Sequence, residues 1–175
     1  MTLRESSIPD AADLEANVRW LRDVELIKQL VQRYAHGVDT LDFELVRSVF
    51  HPDCVVAGTL EDGQLEPYLG GIEEGLQQWQ ATMHFIGNQY VSINEDNEDN
   101  EDNGDEGHVE SWAVAYHMEA DDSPLDDLRL GLRYQDDVVR VGSGWKIIRR
   151  NVIKQWHRGP FPRPSLGPPI YPRPR

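Results

Sequence analysis

At His84 the apolar pattern of this 175-residue chain changes period, and that change limits the fold more than any other feature. Before it, hydrophobic residues recur at three- and four-residue spacing: Val24, Ile27, Leu30, Val31 and Tyr34, then Phe43, Val46, Val49 and Phe50, then Ile72, Leu76 and Trp79. Each set is a stripe that a helix turns toward a core. After it the period is two. Over residues 84–93, His84, Ile86, Asn88 and Tyr90 share one face of an extended segment, and Phe85, Gln89, Val91 and Ile93 share the other. Extended segments follow at 108–120, 128–141 and 145–156, the last two joined by the hairpin signal Gly142-Ser143-Gly144. Helices first and a meander of long strands after them predict an α+β fold, an antiparallel sheet covered on one face by helices.

Punctuation sets the expected boundaries. A first helix is predicted over 11–36, with one break around 18–23. Asp42 is an N-cap for a second helix, and Pro52 biases His51 away from helical geometry and ends it. Cys54-Val55-Val56-Ala57 then reads as a short buried strand bounded by Gly58. Gly70-Gly71 marks a loop before a third helix over 72–82. At 20.0 kDa one domain is expected, over 11–158. From Gly159 onward the chain carries seven of its eleven prolines, so 159–175 is predicted to be an extended arm that joins no central strand.

The formal charge of −14 argues against nucleic acid as a partner, because phosphate contacts need Lys and Arg in excess. Residues 95–106 hold eight of the carboxylates, in a thrice-repeated three-residue unit predicted to be a solvated hairpin loop. From within it and just beyond, Asp99, Glu101, Asn103, Gly104 and Glu110 nearly spell a calcium loop, without the flanking helices such a loop needs. The single cysteine, Cys54, allows no internal disulfide and suits a reducing cytoplasm. No 18-residue apolar run and no hydrophobic leader stretch occur, so neither a membrane partner nor a signal peptide is expected.

Chemistry-bearing residues concentrate near Tyr34-Ala35-His36-Gly37-Val38-Asp39. Tyr34 belongs to the helical stripe, and Asp39, five residues on, can flank the same space if the helix loosens at Gly37. Otherwise Asp39 caps the next helix. His84 is the expected partner, since imidazole both takes and returns a proton near neutrality and a carboxylate behind it fixes its tautomer. The competing histidines are His36, His51, His108 and His117, and His117 faces a cavity only in one strand register. No close ligand spacing supports a metal site.

Taken in order, Tyr34 with Asp39, Asp42-Phe43-Glu44, Phe50-His51-Pro52-Asp53-Cys54-Val55-Val56, Met83-His84-Phe85-Ile86-Gly87-Asn88, Gly131-Leu132-Arg133-Tyr134-Gln135-Asp136 and Gly144-Trp145-Lys146-Ile147-Ile148-Arg149-Arg150 resemble the SnoaL-like branch of the nuclear transport factor two superfamily. The resemblance spans about residues 20–156 and implies a cone-shaped curved antiparallel sheet wrapped around three N-terminal helices, with a deep pocket. In the lyases of that group an Asp and a His matching Asp39 and His84 form the proton-transfer pair, and a Tyr matching Tyr34 polarises the substrate. The chain departs from the dehydratase pattern at Val56-Ala57-Gly58, where several dehydratases carry a second Tyr.

The resemblance therefore implies a cofactor-independent lyase or isomerase acting on a hydrophobic cyclic small molecule, with catalytic Tyr34, Asp39 and His84. Arg150, or Arg149 in another register, with Asn88 and Trp112 are the expected substrate-binding residues, and no metal or cofactor is implied. The alternative is a non-catalytic binding or assembly module with the same cone. Trp112, Tyr116, Tyr134, Trp145 and Trp156 are expected to leave aromatic surface that a homo-oligomer, trimer or dimer, would cover, with the arm contributing.

Overall fold

The computed structural model describes residues 8–58, 63–93 and 106–160. The acidic tract up to residue 105, with the calcium-loop pattern except Glu110, and the proline-rich arm beyond Pro160 lie outside the described residues.

The chain opens with one long helix, α1 (Leu14–Thr40), capped by Asp13, whose side chain accepts from the Ala16 N–H. It is not broken at 18–23: Val18 and Leu21, which disturb the apolar stripe, stand on its exposed face, and Asp23 is drawn inward by partners from the sheet. Its buried stripe, Ile27, Leu30, Val31, Tyr34 and Val38, is the spine of the core. Each such aliphatic side chain contributes about 1.5–3 kcal/mol by leaving water. Leu41 turns left-handed (φ 56°), the Asp42 N–H returns to the Gly37 carbonyl at 2.8 Å, and the helix closes in a Schellman arrangement. Asp42 then caps α2 (Phe43–Ser48) by accepting from the Leu45 N–H.

After β1 (Phe50–Ala57) and the two-residue β2 (Gly63–Gln64), α3 spans Leu65–Leu76, earlier than the sequence pattern predicted. Leu65, Tyr68, Leu69, Ile72 and Leu76 form its inner stripe, and Gly70-Gly71 lies inside the helix rather than in a loop. The stretch 77–80 is turn, and β3 (Ala81–Ile93), β4 (Glu106–Met118), β5 (Leu128–Val141) and β6 (Gly144–Arg158) complete the chain.

The six strands form one sheet in the order β2-β1-β6-β5-β4-β3, open at β2 and β3. The meander is antiparallel, whereas β1 lies parallel to β6. No hairpin sets the direction of β1, which the whole meander separates from its neighbour.

Three register shifts decide which side chains face the helices. In β3, Ile86 pairs with Ala113 and Gln89 with Ser111, so Gly87 and Asn88 together oppose Trp112. In β6, Ile148 is an extra residue between the Asp137–Arg149 and Val138–Ile147 pairs, which moves the inward set from Trp145 and Ile147 to Arg150, Val152 and Lys154. Gln155 is extra between the Leu132–Lys154 and Gly131–Trp156 pairs, which turns Trp156 to the outer face. There its indole covers Gly131, where a Cβ would come within 2.2 Å of the ring.

Candidate active site

Between the inner face of the sheet, the end of α1 and α3 lies a cavity of about 540 Å³. Most of its wall is apolar, with Val38, Leu76, Trp79, Leu130, Leu132 and Val152 among the lining residues. Its polar groups form distinct clusters.

The first cluster joins the end of α1 to β3. His84 Nδ1 lies 2.7 Å from Asp39 Oδ1, the His84 backbone N–H donates to Asp39 Oδ2 at 2.6 Å, and the Thr82 hydroxyl donates to Oδ1 at 2.9 Å. Burial pushes the Asp39 carboxyl up, but the hydrogen bond and charge of His84, its backbone N–H and the Thr82 hydroxyl outweigh it and hold the group below its usual range. Asp39 is thus an acceptor only. Against an acceptor-only carboxylate, a neutral imidazole places its proton on Nδ1 and keeps Nε2 as an acceptor. His84 lines the cavity, and the His117 ring, also in the lining, stands 5.8 Å away centroid to centroid and 5.3 Å from Trp79.

The second cluster is phenolic. Tyr34 and Tyr68 share a hydrogen bond of 2.9 Å between hydroxyls, and Tyr134 meets the Tyr34 ring edge-on at 5.9 Å. Burial raises all three hydroxyls above their ordinary value, and the charge of Arg150 partly opposes this. All remain protonated donors.

Arg150 lies behind this cluster rather than at the cavity. It is fully buried, donates two bonds of 2.8 and 2.7 Å to Asp136, and carries its guanidinium carbon 4.2 Å from the Tyr34 ring centroid and 4.7 Å from that of Tyr134. Burial disfavours its charge, but the Asp136 carboxylate raises its pKa well above the ordinary value. The expectation that Arg150 holds substrate is corrected: it is an internal cation whose charge Asp136 neutralises. Arg149 is no substitute, because the Ile148 shift leaves it 70% exposed on the outer face.

Two further corrections follow, for Asn88 from the β3 shift and for Trp112 from the unbroken alternation of β4. Asn88 is exposed within the bulge, and Trp112, opposite it, is 42% exposed on the outer face under Arg133. Neither lines the cavity. Of the aromatic residues expected on the outer face, Tyr134 and Trp145 are core residues, the latter donating from Nε1 to Asp23.

The pattern that reveals Tyr68 was present, since 65, 68, 69, 72 and 76 is a helical stripe, but Gly70-Gly71 masked it as a loop. Its hydroxyl stands 2.9 Å from that of Tyr34, on a cavity wall where Val56-Ala57-Gly58 carries no phenol. Asp136 follows from the period of two through Leu130, Leu132 and Tyr134. No group of three or more His, Cys, Asp or Glu side chains suited to a metal occurs among the described residues. Nor is any described helix long and apolar enough to cross a membrane.

Residues 19–151 match the model of the SnoaL-like domain family. An uncharacterized protein of Mycobacterium tuberculosis is 27% identical over 129 residues, covering 71% of this chain and 80% of its own. A scytalone dehydratase-like protein of Novosphingobium aromaticivorans superposes with a TM-score of 0.67 at 24% identity, over 87% of this chain and 96% of its own. A hexachlorocyclohexane dehydrochlorinase of Novosphingobium barchaimii gives 0.66 at 12% identity, over 87% and 99%. At such identities these two structures show a shared fold.

Proposed function

The chain belongs to the SnoaL-like domain family, and from that premise we propose that it is a cofactor-independent lyase or isomerase acting by proton transfer on a hydrophobic cyclic small molecule. One observation carries the reading: at the wall of an apolar cavity, His84 Nδ1 is tied to Asp39 at 2.7 Å, so Nε2 is the base. The similar structures named as dehydratase-like and dehydrochlorinase point to the same class of chemistry.

In this reading His84 Nε2 removes a proton from a carbon next to a carbonyl, and the electron pair moves to the carbonyl oxygen. Asp39 stabilises the imidazolium that forms. One hydroxyl of the Tyr34–Tyr68 pair donates to the developing enolate oxygen while the other donates to it in turn, in a site whose apolar wall strengthens the attraction. Expulsion of a β-hydroxyl, protonated from His117 or from His84, completes a lyase reaction, and return of the proton to another carbon completes an isomerisation. A purely binding module has no need of the His84–Asp39 contact, and its geometry favours the enzyme.

A screen of cyclic hydroxy-ketones for loss of water or double-bond migration tests the proposal. Turnover by the full chain, lowered by about 10²-fold or more in His84→Gln, is expected. Turnover that the substitution leaves unchanged overturns it.

A further inference from the structure

Three donors from β3 converge on the carboxylate at the end of α1, and they divide unequally between its two oxygens. Oδ2 takes the His84 backbone N–H at 2.6 Å, whereas Oδ1 takes both His84 Nδ1 at 2.7 Å and the Thr82 hydroxyl at 2.9 Å. The strand itself arranges this: residues two apart in β3 stand on the same face, so the Thr82 and His84 side chains reach the same oxygen. Asp39 and Thr82 lie behind the imidazole, outside the cavity lining to which His84 belongs. Whatever Thr82 does to the chemistry therefore passes through Asp39.

A second donor on Oδ1 is not neutral toward the first. An ionised carboxylate oxygen has room for both, but each draws on the same negative charge. Burial raises the Asp39 carboxyl and the bonds to His84 lower it; the Thr82 hydroxyl adds to the lowering, because it stabilises the ionised form. Charge that the hydroxyl engages at Oδ1 is withheld from the Nδ1–H of His84, and from the imidazolium that forms when Nε2 takes a proton. Valine would give the strand the same branched shape without that effect, so the hydroxyl is the part of Thr82 that bears on the proton.

We propose that Thr82 is a positioning residue of the proton-transfer pair: its hydroxyl moderates the hold of Asp39 Oδ1 on the Nδ1–H of His84, and so sets how firmly His84 keeps the proton it removes. The inference rests on the proton-transfer reading for its consequence in turnover, but the hydrogen bond itself is read on the free protein. Among the described residues, the other titratable groups lining the cavity with His84 are His117 on β4, Tyr34 of α1, Tyr68 and Glu74 of α3, Tyr134 on β5 and Lys154 on β6, and the substitutions below leave each of them in place.

Proton NMR of the full chain with nitrogen-labelled histidine, in cold water at a pH of about 8 where an ordinary histidine is neutral, reads the Nδ1–H directly. The wild type is expected to show a downfield Nδ1 proton that His84→Gln removes. A stronger bond to the carboxylate moves that proton further downfield. Thr82→Val and Thr82→Ala both remove the hydroxyl, and only the first keeps the branched shape; both are expected to give the downfield displacement, while Thr82→Ser keeps the wild-type position. A hydroxyl that only braces the strand gives another pattern, a resonance broadened or lost in Thr82→Val and Thr82→Ala because the contact loosens. That pattern, a resonance unmoved in both, a Thr82→Ser that moves with them, or a wild type without the resonance overturns the proposal. Thermal unfolding of the same samples establishes that each is folded. None of these readouts needs a substrate, so failure here leaves the proton-transfer reading to the hydroxy-ketone screen. A chain without turnover that still shows the displacement leaves the assignment of Thr82 standing.

Discussion

Asp39 holds His84 at two atoms, taking the imidazole Nδ1 on Oδ1 at 2.7 Å and the backbone N–H on Oδ2 at 2.6 Å. The ring and the strand that carries it are therefore fixed to the same carboxylate, which removes the freedom an isolated strand histidine would have. Substitution at His84 separates chemistry from folding. His84→Gln is expected to lower kcat on any converted hydroxy-ketone by about 10²- to 10⁴-fold, and Asp39→Asn by at least about 10²-fold, because an amide no longer stabilises the imidazolium. Steady-state kinetics beside thermal unfolding of the same samples is the check. A fall in kcat with an unchanged midpoint is the expected pairing for His84→Gln, whereas Asp39→Asn is expected to lose stability as well as kcat.

Asp39 also makes stability depend on acid. Its pKa is depressed in the folded chain, so its contribution is complete above the ordinary value of 3.8 and is lost as pH falls through the lower folded value. Urea unfolding of wild type and Asp39→Asn should show a constant gap above pH about 5 that narrows below pH about 4. A gap that stays constant into acid would mean that other carboxylates carry the dependence.

Gly37 is where α1 and α2 touch. A Cβ there would stand 2.7 Å from Val46 Cγ2 and 3.1 Å from the Asp42 carbonyl oxygen, both in packed structure. Overpacking of about 1–3 kcal/mol outweighs the roughly 1 kcal/mol that alanine gains in a helix interior, so Gly37→Ala should destabilise. Gly70, within α3, has nothing within 4 Å of an added Cβ, so Gly70→Ala should stabilise by about 0.4–1 kcal/mol. Opposite signs in chemical denaturation are expected.

The Arg150–Asp136 pair predicts non-additivity. Arg150→Met leaves a carboxylate that is 0% exposed without its partner and should cost about 3–5 kcal/mol. Adding Asp136→Leu should return a large part of that loss, since neither charge then remains buried. A double-mutant cycle in urea measures the coupling, and simple addition of the two losses would show that the pair does not act as a unit.

The outer sheet face predicts association. Met83 and Phe85 are 54% and 64% exposed, and Trp112 and Trp156 are 42% and 46% exposed, on the face away from the helices. Sedimentation at micromolar concentration is expected to show a homo-oligomer, a trimer or a dimer, that Phe85→Glu weakens. The same measurement on a chain truncated after Arg158 separates the contribution of the proline-rich arm. A full-length monomer would show that water alone covers this face.

The sequence by itself determined the classes of element and their order. The stripe from Val24 to Tyr34 could only be a helix with a buried face, Asp42 could cap the next one, and strand β5 was legible from end to end because its alternation runs unbroken between turn residues. Tyr34, Asp39 and His84 could be chosen because their side-chain types suit proton transfer and their surroundings resemble a family, although the partner of His84 lies 45 residues away. Tertiary structure alone decided which way the strands face. One extra residue at Gly87-Asn88 sends Asn88 outward, and one at Ile148 buries Arg150 and exposes Arg149. A period of two carries no record of such a slip, because a bulge is recognised only from the neighbouring strand that fails to match it. Tyr68 joined the site for a related reason: its distance from Tyr34 is set by how α3 packs under the sheet, and local spacing does not contain it.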